Sequence, residues 1–434
     1  MNIAGGDRGG VESAHERGVT AAGEAAHRAS WQLPIYMIGQ SSWFLSLGVQ
    51  FVLFPYLVAI RLDQSATHVG IAQASLMMPS LLFMLLGGAT AEQNDARRLL
   101  TLVHAIAVLP PLVLATAILM GALSYPLMIT YALSMGTLAA FAIPTRDAGL
   151  TRVAGSDIPK AVSLAMIVQF SSQLGGMTIA IAARYITEPP ILYLQAMILA
   201  LGGLACWRLM PMPPHAAPSG DSAWKRIRDG LATARATAPL LPTISLMFAV
   251  GVFYVGTFMV VVPLMVRDIY EGREAELALV NIAFWGGTIV ASIVLMRLAQ
   301  ALRRRGRAML LSLASGAAVM STFTFDLSFW AFCSLCFIWG CGAGTTMTMS
   351  RTIVQTMAPE SHRARILALY QLGFSGGAPV GAFVMGLTVS FIGLQNAVLV
   401  PAGCMAVILT LMTVRSDLWG FETPATAQPQ TGRA

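Results

Sequence analysis

Amide side chains recur at helical spacing within apolar stretches of this sequence. The clearest case is Gln169, Ser172, Gln173 and Gly176, which lie at positions i, i+3, i+4 and i+7 and therefore share one face of a helix. Hydrocarbon offers such a polar stripe no hydrogen-bond partners, so the stripe must face protein or water. The chemistry open to these groups is hydrogen bonding, which indicates ligand binding or contacts between helices.

Similar faces occur on other apolar stretches. Trp43 and Gln50 lie seven residues apart in the first stretch, and Asn281 and Trp285 lie four residues apart in a later one. Amides and aromatic rings provide adaptable hydrogen bonds and large apolar contact areas, which suit a bulky amphipathic ligand better than a small ion. The alternative is that these side chains only join one helix to another. The residues selected in this way are Trp43, Gln50, Gln169, Gln173, Tyr254, Asn281, Trp285 and Gln371.

Groups that could carry a proton are scarce inside the apolar stretches. Every Asp and Glu lies in a tail, in a turn or at the end of a stretch, and His104 is the only histidine well inside one. Proton transfer would use His104, whose unperturbed pKa of about 6.5 suits the task, or the carboxylates Glu92, Asp95 and Asp147. The alternative for His104 is a packed, neutral side chain. A cationic ligand would find no counter-ion here, so we expect a neutral, zwitterionic or anionic one.

The sequence carries none of the motifs that serve common enzyme chemistry. It has no P-loop, nucleophile elbow, HExxH motif or glycine-rich nucleotide turn, so we predict that the protein is not an enzyme and is not driven directly by ATP. Its five cysteines all fall in apolar stretches, which argues against a disulfide framework or a zinc site. No cofactor and no metal are therefore expected.

The composition is that of a membrane protein. Of 434 residues, 56% are hydrophobic and only 11% are charged, and the mean hydropathy is +0.69. A helix needs about 20 apolar residues to span the hydrocarbon. We therefore predict an all-α polytopic membrane protein with twelve transmembrane helices. The predicted spans begin near residues 33, 68, 97, 125, 160, 190, 240, 276, 306, 328, 362 and 394.

The second half of the chain repeats features of the first. A shift of 205 residues superposes Arg146 on Arg351 and Gly176 on Gly381. This correspondence predicts two pseudo-symmetric six-helix bundles. The predicted segments are a disordered N-terminal tail (1–31), the first bundle (32–210), a cytoplasmic linker (211–238), the second bundle (239–415) and a C-terminal tail (416–434).

Charge is distributed unevenly around the predicted spans. The net charge of +7 comes in short basic bursts between apolar stretches, a pattern that sets membrane orientation and does not indicate a nucleic-acid partner. With a cytoplasmic N-terminus, most arginines fall inside, whereas acidic residues such as Glu188 and Glu274 fall outside. This asymmetry predicts two cytoplasmic termini, and we expect a bacterial inner membrane. Residues 224–236 of the linker are expected to form a short basic helix on the inner leaflet or to remain a solvated segment.

Two six-span halves joined by a long loop, with a charged turn at Gly88–Arg97 between spans two and three, resemble the major facilitator superfamily over residues 33–415. The segments PTRDAGLTRV and QTMAPESHRARILALYQLGFSGGAPVGAFVMG look like the branch of enterobactin-type siderophore exporters and macrolide efflux permeases. The charged turn departs from the superfamily pattern, because Glu92 stands where an aspartate is expected and Asp95 replaces a glycine. The resemblance implies alternating access about a central site, lined by spans one, two, four, five, seven, eight, ten and eleven.

The resemblance also implies roles for the residues named above. The eight amide and aromatic residues become the wall of a substrate cavity. Glu92 or Asp95 pairs with Arg146 or Arg152 as a cytoplasmic gate that stabilises the outward-facing state. The alternative is a solvated surface pair of little energy. Arg351 has the matching place in the second half.

These observations predict a secondary active transporter that exports a bulky amphipathic small molecule, such as a siderophore, an antibiotic or a metabolite. We expect it to be a monomer in contact with the lipid bilayer, with protons as the candidate coupling ion. The first alternative is an importer with the same fold. A non-transporting membrane scaffold or sensor is the second, and a sequestered polar cavity argues against it.

Overall fold

The computed structural model describes residues 8–154, 158–213, 223–298, 304–359 and 363–421. Within those ranges the chain forms helices and their connecting turns, with no strand. The side chain of Glu92, one of the predicted gate residues, lies outside the described set, although its backbone is helical.

The N-terminal half contributes six helical passes, and the linker adds one shorter helix. The passes are α1 (Arg8–Pro55, continued by a π-helical turn at Tyr56–Arg61), α2 (Ala66–Gln93), α3 (Ala96–Ala107 and Leu109–Leu119), α4 (Tyr125–Val153), α5 (Ile158–Ile181 and Ala183–Ile186) and α6 (Glu188–Trp207). The linker helix spans Ala223–Ala236, so of the two alternatives left open by the sequence the segment adopts the helical one.

The C-terminal half contributes six further passes. They are α7 (Leu240–Val250, a π-helical turn at Gly251–Val255, and Gly256–Asp268), α8 (Glu274–Leu298), α9 (Arg305–Thr322), α10 (Phe329–Met357), α11 (Arg363–Ile392) and α12 (Leu394–Ala397 and Leu399–Arg415).

The predicted all-α membrane architecture is confirmed. Ten of the twelve passes are long and apolar enough to cross a membrane among the residues that the structure describes. The other two are held by their neighbours: α2 packs against α4 and α11, and α9 packs against α10 and α12.

The N-terminal segment differs from its sequence-based expectation. Residues 8–30, for which we predicted disorder, continue α1 as helix, and the apolar part of that helix begins at Trp31. The segment is rich in Ala, Glu and Arg, which favour helix. Extending an existing helix also avoids the cost of nucleating a new one.

Glycines set the closest helix contacts in each half. Gly176 on α5 lies against the backbone carbonyl of Leu45 on α1, and Gly381 on α11 lies against the carbonyl of Val252 on α7. A methyl group at either glycine would overlap that carbonyl, so only glycine permits this approach. The two glycines related by the shift of 205 residues therefore make equivalent contacts in the two halves.

Six passes per half bring the start of the first apolar span at Trp31, the end of α12 at Arg415 and the linker helix to the same end of the molecule, which we call the linker end. The turns at Arg61–Ser65 and Ile269–Arg273 lie at the other end, which we call the opposite end. The site described below is organised by the difference between these two ends.

Candidate functional site

A cavity of about 1000 Å³ lies between the two halves. Its wall is formed by α1, α2, α4 and α5 of the first half and by α8, α10 and α11 of the second. On α8 the one lining residue is Trp285, near the midpoint, and on the other six helices the lining residues lie between the linker end and about the midpoint. All seven helices are among the eight that were predicted to line the cavity. The eighth, α7, contributes no lining residue among those described.

Six of the eight predicted cavity residues line this wall: Trp43, Gln50, Gln169, Gln173, Trp285 and Gln371. Four methionines accompany them, Met84, Met135, Met166 and Met347. Methionine is flexible and polarisable, so a wall of amides, indoles and thioethers adapts to ligands of irregular shape.

Tyr254 and Asn281 do not line the cavity, contrary to our prediction. The hydroxyl of Tyr254 donates to the carbonyl of Leu313 at 2.5 Å, and its ring meets that of Trp339 edge-on. Tyr254 lies in the π-helical turn of α7, where wider winding shifts the helix face away from the 3.6-residue period. Asn281 is turned back along its own helix, with Nδ2 donating to the carbonyl of Leu277 at 2.8 Å.

Two arginines line the cavity from different halves. The guanidinium of Arg146 lies over the ring of Phe44 at 4.6 Å, and one of its nitrogens is 3.5 Å from an oxygen of Asp147. Arg351, its counterpart after the shift of 205 residues, lines the wall from α10. Among the lining residues whose side chains are described, Asp147 is the one carboxylate and Arg146 and Arg351 are the two cations. The cavity wall therefore carries a net positive charge.

A buried hydrogen-bond chain orients Gln50. Nε2 of Gln195 donates to the carbonyl of Ser46 at 3.2 Å and to the hydroxyl of Tyr131 at 3.4 Å. That hydroxyl donates in turn to Oε1 of Gln50 at 3.3 Å. The carbonyl of Ser46 can only accept a hydrogen bond, so the atom of Gln195 that faces it must be the amide nitrogen. The carbonyl oxygen of Gln50 therefore accepts from Tyr131, and its NH₂ group has no partner among the described residues.

Two further lining residues hold N–H groups without a partner among the described residues. Nε2 of Gln173 and Nε1 of Trp285 are buried and make no hydrogen bond to the protein. The Gln173 side chain is almost fully enclosed, with 4% of the residue exposed. Buried donors are nearly always paired, so a ligand or water is expected to meet them.

The predicted gate residues Asp95 and Arg152 meet through the linker. Asp95 caps α3, accepting from the backbone N–H of Arg97 at 2.8 Å, and its other oxygen accepts from the N–H of Met212 at 3.1 Å. Nη1 of Arg152 donates to the carbonyl of the same Met212 at 2.6 Å. In this conformation both side chains thus fasten the start of the linker to the first half.

His104 is packed inside the first half, apart from the cavity. It is 3% exposed, and its ring meets Trp43 edge-on at 5.6 Å. Nδ1 lies 2.8 Å from the carbonyl of Leu100 and Nε2 lies 3.2 Å from that of Gly39. Only the protonated imidazolium carries an N–H on both nitrogens.

The opposite end is closed by polar contacts that sequence reasoning missed. Nη1 of Arg267, at the end of α7, donates to the carbonyls of Ala59 and Gln64 at 2.8 and 2.7 Å and lies 3.2 Å from Asp63. These acceptors lie in the π-helical end of α1 and in the turn that follows it, so one side chain joins the halves. The clustering of Arg and Asp in the two facing turns is the signal that could have identified this contact.

Further contacts join the halves at the same end. Arg273 donates to the hydroxyl of Tyr56 at 3.4 Å, and this hydrogen bond raises the pKa of Arg273. Arg184 on α5 pairs with Glu276 on α8 at 3.3 Å. The hydroxyls of Thr67 on α2 and Ser390 on α11 lie 2.7 Å apart.

Several solved structures share this fold. The structure of the D-xylose-proton symporter is 13% identical with a TM-score of 0.71, and the match covers 91% of this chain and 99% of that one. The nucleoside transporter NupG is 15% identical with a TM-score of 0.67, covering 89% and 98%. A bacterial homologue of the human lysosomal transporter Spinster, in an inward-facing and unoccupied conformation, is 13% identical with a TM-score of 0.64, covering 90% and 96%. No protein of curated function matches the sequence.

Two six-helix halves around a central polar cavity define a membrane transporter of the major facilitator type. Within that class, the sequence model described as transmembrane secretion effector matches residues 38–430, and the chain belongs to this family.

Proposed function

We propose that the protein is a secondary active transporter that exports a bulky amphipathic small molecule, and that the conformation described here faces the cytoplasm. The observation that carries the proposal is the asymmetry of the two ends. The cavity wall extends to Gly88, Thr151 and Arg351 at the linker end, while Arg267 and its neighbours join the halves at the opposite end. A cavity that reaches one face while the other is closed is one state of an alternating-access cycle.

Two observations support the orientation and the direction. Basic residues concentrate at the linker end, which by the positive-inside rule is cytoplasmic, and we propose a bacterial inner membrane with both termini inside. The family description names secretion, which favours export. The cavity wall includes four aromatic, four methionine and five glutamine side chains among aliphatic ones, which favours a siderophore, an antibiotic or a metabolite over a small ion.

Closure of the linker end completes the cycle. We propose that Glu92 or Asp95 then pairs with Arg146 or Arg152, with Arg351 acting from the second half. The present bonds from Asp95 and Arg152 to Met212 would have to exchange for these pairs. Movement of the linker is therefore coupled to the gate.

Proton antiport is the proposed source of energy. His104 is proposed as a coupling residue, because each of its ring nitrogens lies within hydrogen-bond distance of a carbonyl oxygen and only a protonated ring would donate to both. Asp147 at the cavity mouth and Asp95 at the start of α3 are the carboxylate alternatives, with Glu92. The transporter is proposed to work as a monomer, since each chain has a complete cavity.

The test is transport by the full chain in proteoliposomes of known orientation, using a panel of siderophores and macrolides with and without an imposed pH gradient. We expect at least one compound to move from the linker side to the opposite side against its concentration, driven by protons moving the other way. Movement only in the reverse direction would establish an importer. No transport of any compound would favour the scaffold or sensor alternative.

The coupling residue is tested with a matched pair of variants. His104→Gln should abolish the dependence of transport on the pH gradient, because glutamine cannot take up a proton. His68→Gln, at an exposed histidine of the opposite end, should leave it unchanged. Gradient dependence that survives in His104→Gln would transfer the role to the carboxylates.

A further inference from the structure

The inner end of the cavity is formed by three side chains that converge near the midpoints of their helices. The backbone of α1 at Gly48 abuts the carbonyl of Gln173 on α5. Three residues further along α1, the ring of Phe51 lies 5.9 Å from that of Trp285 on α8. Gln50 lies between these two contacts, so it lines the same end of the cavity as Gln173 and Trp285.

Each of the three residues presents a hydrogen-bond donor. Gln50 offers its NH₂ group, because Tyr131 occupies its carbonyl oxygen. Gln173 and Trp285 carry N–H groups that are buried and unpaired among the described residues, and a small rotation of these side chains toward the cavity would bring the groups to a ligand. Indole and amide N–H groups cannot be deprotonated under physiological conditions, so this end of the cavity donates at every pH of interest.

The charged residues of the cavity add to this polarity. Arg146 and Arg351 line the wall between the donors and the linker end, and Asp147 is compensated by the Arg146 guanidinium 3.5 Å away. A ligand that enters from the linker end therefore meets positive charge first and hydrogen-bond donors last. Hydrogen bonds to a charged acceptor are about twice as strong as those to a neutral one.

We propose that an anionic oxygen group of the ligand, such as a carboxylate, binds to these three donors, Gln50, Gln173 and Trp285. The apolar body of the ligand lies against the methionine and aromatic wall. The inference deepens the proposed function, since it names the chemical class of the molecule that the same cavity carries. It disfavours cationic amphipaths, because a cation accepts no hydrogen bond from these donors and is repelled by Arg146 and Arg351.

The test measures equilibrium binding to the full chain by calorimetry. The protein is held in lipid nanodiscs, so no ion gradient is present. The probes are dansylglycine and its methyl ester, which share one amphipathic body and differ in the carboxylate. We expect dansylglycine to bind about tenfold more tightly than the ester, as expected for hydrogen bonds that gain strength from a charged acceptor. Equal affinity for the two probes, or binding of neither, would overturn the proposal.

Three variants test whether the donors cause the preference for dansylglycine over its methyl ester. Gln173→Leu should weaken dansylglycine binding about tenfold and change ester binding less than about twofold. Gln173→Glu, which keeps the shape but replaces the donor with a carboxylate, should weaken dansylglycine binding further. Gln395→Leu, at an exposed amide bonded to Asp326 at the opposite end, is the matched control and should bind both probes as the wild type does.

The outcomes separate this inference from the exporter proposal. An equal loss of both probes in the Gln173 variants would indicate a packing role and overturn the donor assignment. An intact carboxylate preference in a protein that imports, or does not transport, would overturn only the export proposal. A protein that exports with no carboxylate preference would overturn only the binding inference.

Discussion

Arg267 holds the two halves together through one side chain. It donates to one backbone carbonyl at the π-helical end of α1 and to one in the α1–α2 turn, and its side chain is only 20% exposed. Hydrogen bonds from a charged donor contribute about 1.5–3 kcal/mol each when they are shielded from water, and partial exposure reduces this value. A contact that exists only while the opposite end is closed biases the equilibrium toward that state.

Arg267→Ala should therefore increase the population of the state that is open at the opposite end, by about tenfold for a loss of about 1.4 kcal/mol. The measurement is the rate at which a membrane-impermeant maleimide, applied from the opposite side, modifies Gln50→Cys in a background without other cysteines. Gln50 lies at the inner end of the cavity and is reached from that side only when the end opens. Arg415→Ala, at an exposed position of the linker end, is the control. The same rate in both variants would show that Arg267 does not stabilise the closure.

Residue types and spacing predicted much of the cavity but not its closure. The amides of Gln50, Gln169 and Gln173 were identifiable because a polar group on an apolar helix must face protein or water. Tyr254 satisfies the same rule by bonding to a neighbouring helix, and only the structure separates the two cases. Arg267 was not identified because two of its acceptors in the first half are backbone carbonyls, which every residue carries.

At the scale of helices, the crossing of α2 and α11 is the contact between halves that depends most on residue size. A methyl group at Gly70 would lie 2.6 Å from the carbonyl oxygen of Ala382 and 3.0 Å from the Cα of Gly386. The equivalent crowding at Gly176 lies within one half. A larger residue at Gly176 would disturb the fold, whereas one at Gly70 would mainly oppose the approach of the two halves.

Gly70→Leu should therefore favour the state that is open at the opposite end without unfolding either bundle. We expect faster modification of Gln50→Cys from the opposite side, by about tenfold or more, because overpacking costs about 1–3 kcal/mol. Gly403→Leu is the matched control, since a side chain at Gly403 would meet open space on α12. Loss of the folded protein in Gly70→Leu, seen as aggregation in detergent, would indicate that the contact supports folding and does not act as a gate.

Helix positions follow from the sequence more closely than helix details do. The predicted span starts fall close to the observed ones because the length of an apolar stretch is set by the thickness of the bilayer. The π-helical turn at Gly251–Val255 leaves no such signal, since it depends on how α7 packs against Gly377 and Gly381 of α11. The extension of α1 to Arg8 was missed because a polar segment can be helical or disordered according to what precedes or follows it.

At the scale of the molecule, the two halves are alike in packing and unlike in polarity. The glycines at Gly176 and Gly381 make the same contacts, and Arg146 and Arg351 reach the same cavity. Yet Gln50 and Gln173 belong to the first half, and the second contributes Trp285. The repeat therefore accounts for the similar packing of the two bundles, and we expect the differences between them to determine which ligand is bound.

Arg146 and Arg351, which are related by the shift of 205 residues, allow the roles of the repeat and of ligand binding to be tested separately. Arg146→Gln and Arg351→Gln should each slow transport of dansylglycine, by about two- to fivefold at low salt, because each removes one positive charge from the route to the donors. The double variant should show the product of the two effects, since the side chains lie on different halves and share no partner. Raising the salt concentration should shrink the difference from the wild type, because ions screen the attraction. Arg208→Gln, at an exposed position after α6, is the control. An equal loss for the methyl ester would mean that the arginines act in gating, because a neutral probe feels no attraction to their charge.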